Sequence, residues 1–210
     1  FLVSIYTIFS VRSYFNGLRR YEGLDGLSWL ARDYPDDYAA IKWLNNQLSV
    51  LGSQLSDRSS SVGQLTGQQK TGKPNSENRQ QRTDNRLVLV EADGDSYTDY
   101  ARFSAFTGIP TVIGWPVHEW LWRGGYDVVA PRREDVRQIY ESNDVVLTQS
   151  ILEKYSVRYI IIGALERQKY KNLQEWKFGQ IGTVVFSSGA GSGFAGQQGQ
   201  MVIYQISESR

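Results

Sequence analysis

Apolar positions along the chain fall into distinct regimes. Residues 1–11 (FLVSIYTIFSV) carry no charge and are followed by Arg12, Arg19 and Arg20. Ile41, Leu44 and Leu48 then recur at helical spacing behind Pro35, Asp36 and Asp37. Proline at the first helical position and acids in the first turn suit a helix start, so the pattern predicts a helix over 36–49. Residues 52–86 hold only Leu55, Val62 and Leu65 as hydrophobes and no aromatic ring. Such a segment cannot bury enough apolar surface to offset the entropy of ordering, and is expected to be a disordered insertion.

Past the insertion, short apolar runs alternate with amphipathic stretches. Residues 87–91 (LVLVE) and 110–114 (PTVIG) read as strands, and 96–106 reads as a helix. Residues 132–141 put Val136, Ile139 and Tyr140 on one helical face, and 144–155 do the same with Leu147, Ile151 and Leu152. The run 157–162 (VRYIII) is continuous, as in a strand buried on both faces of a parallel sheet. Residues 183–186 and 201–206 read as a closing antiparallel pair. The expected fold is α/β: a layered, mostly parallel sheet with flanking helices and a C-terminal antiparallel hairpin. One domain, 23–206, would be interrupted at 52–86, with 1–22 standing apart.

Composition narrows the chemistry. With 23 Lys+Arg against 22 Asp+Glu, the net charge is +1, which leaves no cationic excess for nucleic-acid phosphates. The absence of Cys excludes disulfides, thiol catalysis and Cys-containing zinc sites, and the single His excludes multi-histidine metal sites. An apolar run of 11 residues cannot cross a hydrocarbon core, which takes about 20. It reads either as the tail of a membrane-spanning helix that begins upstream or as an amphipathic helix buried in the domain.

Few motifs survive inspection. Gly191-Ser-Gly-Phe-Ala-Gly196 has the letters of a dinucleotide fingerprint, but Gln-rich sequence and a strand follow where a phosphate-holding helix must start. It reads as a hairpin loop, and no cofactor is expected. His118-Glu119 opens a zincin-like pattern that Trp122 interrupts, and no metal site is expected there. Glu91, Asp93 and Asp95 could hold a hard cation, but read better as a strand-to-helix turn with Asp95 or Ser96 capping the next helix. The densest unusual stretch is 114–125 (GWPVHEWLWRGG), just past the C-terminal end of an expected strand, where ligands bind in open α/β sheets. Tryptophan faces beside an Arg and a carboxylate suit sugars or lipid head groups; the same residues could instead cover the sheet.

The run 101–124 (ARFSAFTGIPTVIGWPVHEWLWRG) resembles the large polytopic membrane proteins of bacteria and archaea that carry the "YYY" domain. Leu24-Asp-Gly26, Asp37-Tyr-Ala-Ala-Ile-Lys-Trp-Leu44, Asp135-Val-Arg137, Lys154-Tyr-Ser-Val-Arg-Tyr-Ile160 and Gly163-Ala-Leu-Glu-Arg167 extend the resemblance. It spans roughly Leu24 to Ile206 apart from the insertion. Such proteins look like multi-spanning glycosyltransferases that use lipid-linked sugars. The resemblance implies that this chain is their C-terminal domain, extracytoplasmic and held at the plasma membrane by the helix ending near Phe15. Partners would be the parent's own membrane helices and a lipid-linked sugar or its acceptor. Trp115, His118, Glu119, Trp122 and Arg123 would bind that substrate, with Arg102 nearby, while catalytic carboxylates would lie on loops of the parent. Arg12, Arg19 and Arg20 point the other way, since basic residues flanking a membrane helix favour the cytoplasmic side. Competing readings are a non-enzymatic scaffold docked through the Trp cluster and a free-standing nucleotide enzyme. The acidic stretch 92–95 disfavours the latter, because a phosphate loop there would be glycine-rich.

Overall fold

A computed structural model describes residues 2–14, 17, 19, 26–63, 87–188 and 200–207. Strand β2 (Val157–Ile162) is the centre of the fold, lying between β1 (Val88–Val90) and β4 (Val202–Ile206), with β3 (Gly182–Ser187) outside β4. β1 pairs parallel to β2, while β2–β4 and β4–β3 are antiparallel. An α/β fold with a C-terminal antiparallel pair is what the sequence pattern predicts, but the sheet is not mostly parallel. Residues 110–114 do not form a full strand; Thr111 makes a single parallel bridge to Leu89. Leu89 N–H donates to the Pro110 carbonyl and its carbonyl accepts from Val112 N–H, after which the chain turns away.

Alternation along β2 separates two cores. Ile160 and Ile162 join Val136, Ile139, Tyr140, Ile151 and Leu152 on one side. Those partners come from α6 (Val129–Glu141) and α7 (Val145–Lys154). Tyr159 and Ile161 join Leu30, Ile41, Leu44 and Phe103 on the other. The latter come from α2 (Ser28–Asp33), α3 (Pro35–Gly63) and α4 (Arg102–Thr107). A strand covered on both faces needs apolar side chains at successive positions, which is why VRYIII reads continuously. Asp144 caps α7 by accepting from Leu147 N–H at 3.0 Å.

Three elements depart from the sequence reading. The helix expected over 36–49 is longer, with helical backbone from Pro35 to Gly63. Helix propagation adds a hydrogen bond for each residue fixed, and no proline interrupts 50–63. The remainder of the expected insertion, 64–86, and the glycine loop 191–196 lie outside the described residues. The helix expected over 96–106 begins only at Arg102, because Tyr97 and Ala101 adopt left-handed backbone at φ 63° and 61°. Its N-terminus is not capped by Asp95 or Ser96: both Glu91 carboxylate oxygens accept from Phe103 and Ser104 N–H at 2.9 Å.

Helix α1 (Leu2–Tyr14) has apolar residues on every side. Tyr6, Ile8, Phe9 and Val11 are exposed, which argues against an amphipathic helix buried in the domain. Among the described residues no helix is long and apolar enough to cross a membrane.

Tyr140 ties the two cores together. It is fully buried, stacks on Tyr170 at 4.5 Å, and holds its hydroxyl between the carbonyls of Val90 (3.1 Å) and Ile161 (2.9 Å). Tyr140→Phe keeps the ring but leaves those carbonyls without the hydroxyl. Urea denaturation should show a loss of about 1–3 kcal/mol; an unchanged midpoint would mean that the hydroxyl contributes nothing.

Candidate functional site

The Trp-rich stretch forms α5 (Pro116–Arg123), with Trp115 at its N-cap and Gly124 ending it in left-handed conformation at φ 75°. Trp115 supplies no capping oxygen, so Glu119 reaches back: its Oε1 accepts from Gly114 N–H at 2.8 Å. Glu119 Oε2 accepts from Arg123 Nε at 3.0 Å. Both charged residues of the motif are therefore engaged with the helix itself.

At 3.6 residues per turn, α5 has two contrasting faces. Trp115, His118, Glu119 and Trp122 share one. Trp115 Nε1 donates to the Tyr100 carbonyl at 3.0 Å, and His118 Nδ1 lies 2.7 Å from Ser96 Oγ. The rings of Tyr97, Trp115 and His118 meet, with centroids 5.7 Å apart for Tyr97–Trp115, 5.0 Å for Tyr97–His118 and 5.2 Å for Trp115–His118. Trp122, one turn beyond His118, is 86% exposed. The opposite face carries exposed Val117, Trp120 and Leu121, and Trp120 packs edge-on against the exposed ring of Tyr126. The fold thus brings five of the six sequence-predicted binding residues onto α5 and its cap.

Arg102 stands apart. It is buried, pairs with the Asp37 carboxylate, donates to the Asp99 carbonyl at 3.2 Å, and lies over the Tyr34 ring at 4.6 Å. Asp37 comes from the first turn of α3, so this ion pair locks α3 to α4.

The sequence pattern offers Glu91 and Asp93 as a strand-to-helix turn and Asp37 as part of a helix start, and assigns Glu166 no role; together these four carry the loop before α5. Glu91, Asp93 and Asp37 are buried at the C-terminal ends of β1 and β2, together with Glu166 from α8 (Ala164–Lys169). Glu166 Oε1 accepts from Ala92 N–H and its Oε2 from Gly163 N–H, both at 2.9 Å. Asp93 accepts from Arg133 Nε at 3.0 Å, from the Tyr170 hydroxyl at 3.0 Å, and from Lys169 Nζ. Glu91, Asp93 and Asp95 hence diverge: the first binds the α4 N-terminus, the second an Arg–Lys–Tyr set, and the third is exposed. The remaining partners are Ser96, read from the sequence as a candidate helix cap, and Tyr97, whose signal in sequence is proximity to the end of a strand.

Electrostatics follow burial. Burial pushes the Glu91 carboxyl up to about 7, with the Ser104 and Phe103 N–H groups pulling against it. Burial likewise pushes Asp37 up to about 6 against the pull of Arg102. Burial lowers the Lys169 ammonium, and Asp93 resists that shift. A carboxyl raised from 4.5 to about 7 holds its proton in the fold when the unfolded chain has lost it. Stability from Glu91 is therefore present in full below pH 4.5 and declines as pH rises towards 7, by ~3 kcal/mol. Asp37 adds a decline of the same sign from 3.8 to about 6. Urea titrations at pH 4.5 and 8 should show wild type losing stability over this interval and Glu91→Gln losing ~3 kcal/mol less, whatever its absolute cost. Equal losses would show that Glu91 does not retain a proton.

In comparison with known proteins, no family model, no curated protein and no solved structure matches the chain.

Proposed function

We propose that the chain is the extracytoplasmic domain of a multi-spanning membrane protein, and that it assists binding of a lipid-linked sugar or its acceptor in a glycosyltransferase-like enzyme. The observation that carries this reading is the two-faced helix α5. Val117, Trp120 and Leu121 offer exposed apolar surface beside a ring-lined polar face containing His118. An amphipathic ligand, with a lipid chain and a sugar, asks for these two surfaces next to each other. Further support comes from the exposed apolar side chains around α1, which suit hydrocarbon better than water, and from the resemblance of 101–124 to the YYY-domain membrane proteins. Chemistry is assigned to membrane-embedded loops of the parent; this chain contributes binding.

A second reading, a scaffold that docks on membrane helices or a partner, draws on one observation. Glu119 and Arg123 pair with each other and Arg102 pairs with Asp37, so three charged residues expected to hold ligand already have partners.

Co-sedimentation with phosphatidylethanolamine–phosphatidylglycerol vesicles, with and without a polyprenyl-phosphate hexose, separates the two. Wild type should partition onto vesicles and bind more tightly when the lipid-linked sugar is present. Trp120→Ala/Leu121→Ala should weaken partitioning by at least about tenfold, as expected for losing two apolar anchors. Partitioning that ignores the lipid-linked sugar favours the scaffold; no partitioning at all contradicts the proposed function.

A further inference from the structure

Tyr97 is held in an uncommon state. It is a bulky residue with left-handed backbone at φ 63°, a conformation that favours glycine, and its side chain is 85% exposed. Neither solvent exposure nor local propensity stabilises that arrangement, so the surrounding loop must impose it. The loop is firmly built. Thr98 Oγ1 donates to the Asp95 carbonyl at 2.5 Å, and a Cβ at Gly94 would overlap the Tyr100 ring, so the turn packs against itself. Ala101 is left-handed as well. The two rings beside Tyr97 are fixed from behind, Trp115 through the Tyr100 carbonyl and His118 through Ser96 Oγ.

We infer that the exposed ring of Tyr97, braced from behind by Trp115 and His118, is the stacking face for an uncharged pyranose ring. This rests on the reading that the chain handles a lipid-linked sugar, and names the residues that take the sugar. Centroid separations of 5.0–5.7 Å at interplanar angles of 49°, 78° and 52° put the three rings in mutual tilted contact, so that Trp115 and His118 brace Tyr97 instead of lying coplanar with it. No slot is left between them for a quaternary ammonium, which aromatic cages enclose. A ligand stacked on the exposed Tyr97 ring remains. Exposed Asp95 and Asp99 on the same loop suit hydroxyl donors. A pyranose offers both: an apolar C–H face for the rings and hydroxyls for the rim. The strained backbone keeps Tyr97 turned outward without ligand, so little ordering is needed on binding.

The test uses the 210-residue chain and a panel of neutral tetrasaccharides of glucose, galactose, mannose and N-acetylglucosamine. Saturation-transfer NMR and Trp fluorescence titration read binding. At least one sugar should bind saturably, Tyr97→Phe should bind within about twofold of wild type, and Tyr97→Ala should weaken binding about tenfold or more. Trp176→Ala, an exposed tryptophan elsewhere, should bind as wild type. Tyr97→Gly should lose binding as Tyr97→Ala does, because both remove the ring. No binding by any sugar, or undiminished binding by Tyr97→Ala or Tyr97→Gly, would overturn the proposal. Because the sugars carry no lipid, this result stands or falls apart from vesicle binding through the opposite face of α5.

Discussion

One carboxylate joins the two parallel strands where they end. Glu166 accepts from Ala92 N–H just after β1 and from Gly163 N–H just after β2. It thereby pairs two backbone donors that would otherwise be left without partners in a buried place. Residue 163 is closely surrounded: a Cβ there would displace the terminal methyl of Met201 and sit 3.2 Å from both Asp37 Oδ1 and Glu166 Oε2. Concentrating Glu166, Asp37, Glu91 and Asp93 in one region out of water is costly unless each finds partners. The neighbouring elements supply them. Arg102 answers Asp37, the α4 amides answer Glu91, and Arg133, Lys169 and Tyr170 answer Asp93.

The surface at this end of the sheet depends on that arrangement. Glu91 fixes where α4 begins and Glu166 fixes where β1 ends, so residues 92–101 must close the gap in a tight turn. That turn carries Ser96 and Tyr97 to the near face of α5, and its Tyr100 carbonyl receives the Trp115 indole. A buried acidic knot and an exposed aromatic surface are two sides of one loop. Such division is common where a rigid scaffold presents binding groups on a connection between elements.

Periodicity made much of this legible. VRYIII marked β2 because a strand covered on both faces has apolar residues in succession; Val136, Ile139 and Tyr140 marked α6, and Ile151 and Leu152 marked α7, whose Leu147 is exposed instead of joining the core. The Trp cluster stood out by residue type, and α5 does carry it. What was illegible was set by distant contacts. The left-handed states of Tyr97 and Ala101 arise from packing rather than propensity, so the helix expected over 96–106 loses its first half. Arg102 reads as a surface cation near the tryptophans, yet its partner Asp37 lies 65 residues away in sequence. The sheet's balance of parallel and antiparallel pairs depends on the return path of the chain, which alternation does not encode.

Hydrogen exchange at the Trp115 indole N–H tests most directly whether the Glu166 knot holds the aromatic surface in place. Glu166→Gln preserves size but turns one acceptor into a donor facing a strand-end amide. In wild type the indole N–H, donating to the Tyr100 carbonyl, should exchange slowly. In Glu166→Gln it should exchange much faster, while the β2 amides stay protected and report an intact sheet. Equal indole protection in the two proteins would contradict the account, because the loop and its rings would then be held independently of the strand-end carboxylate.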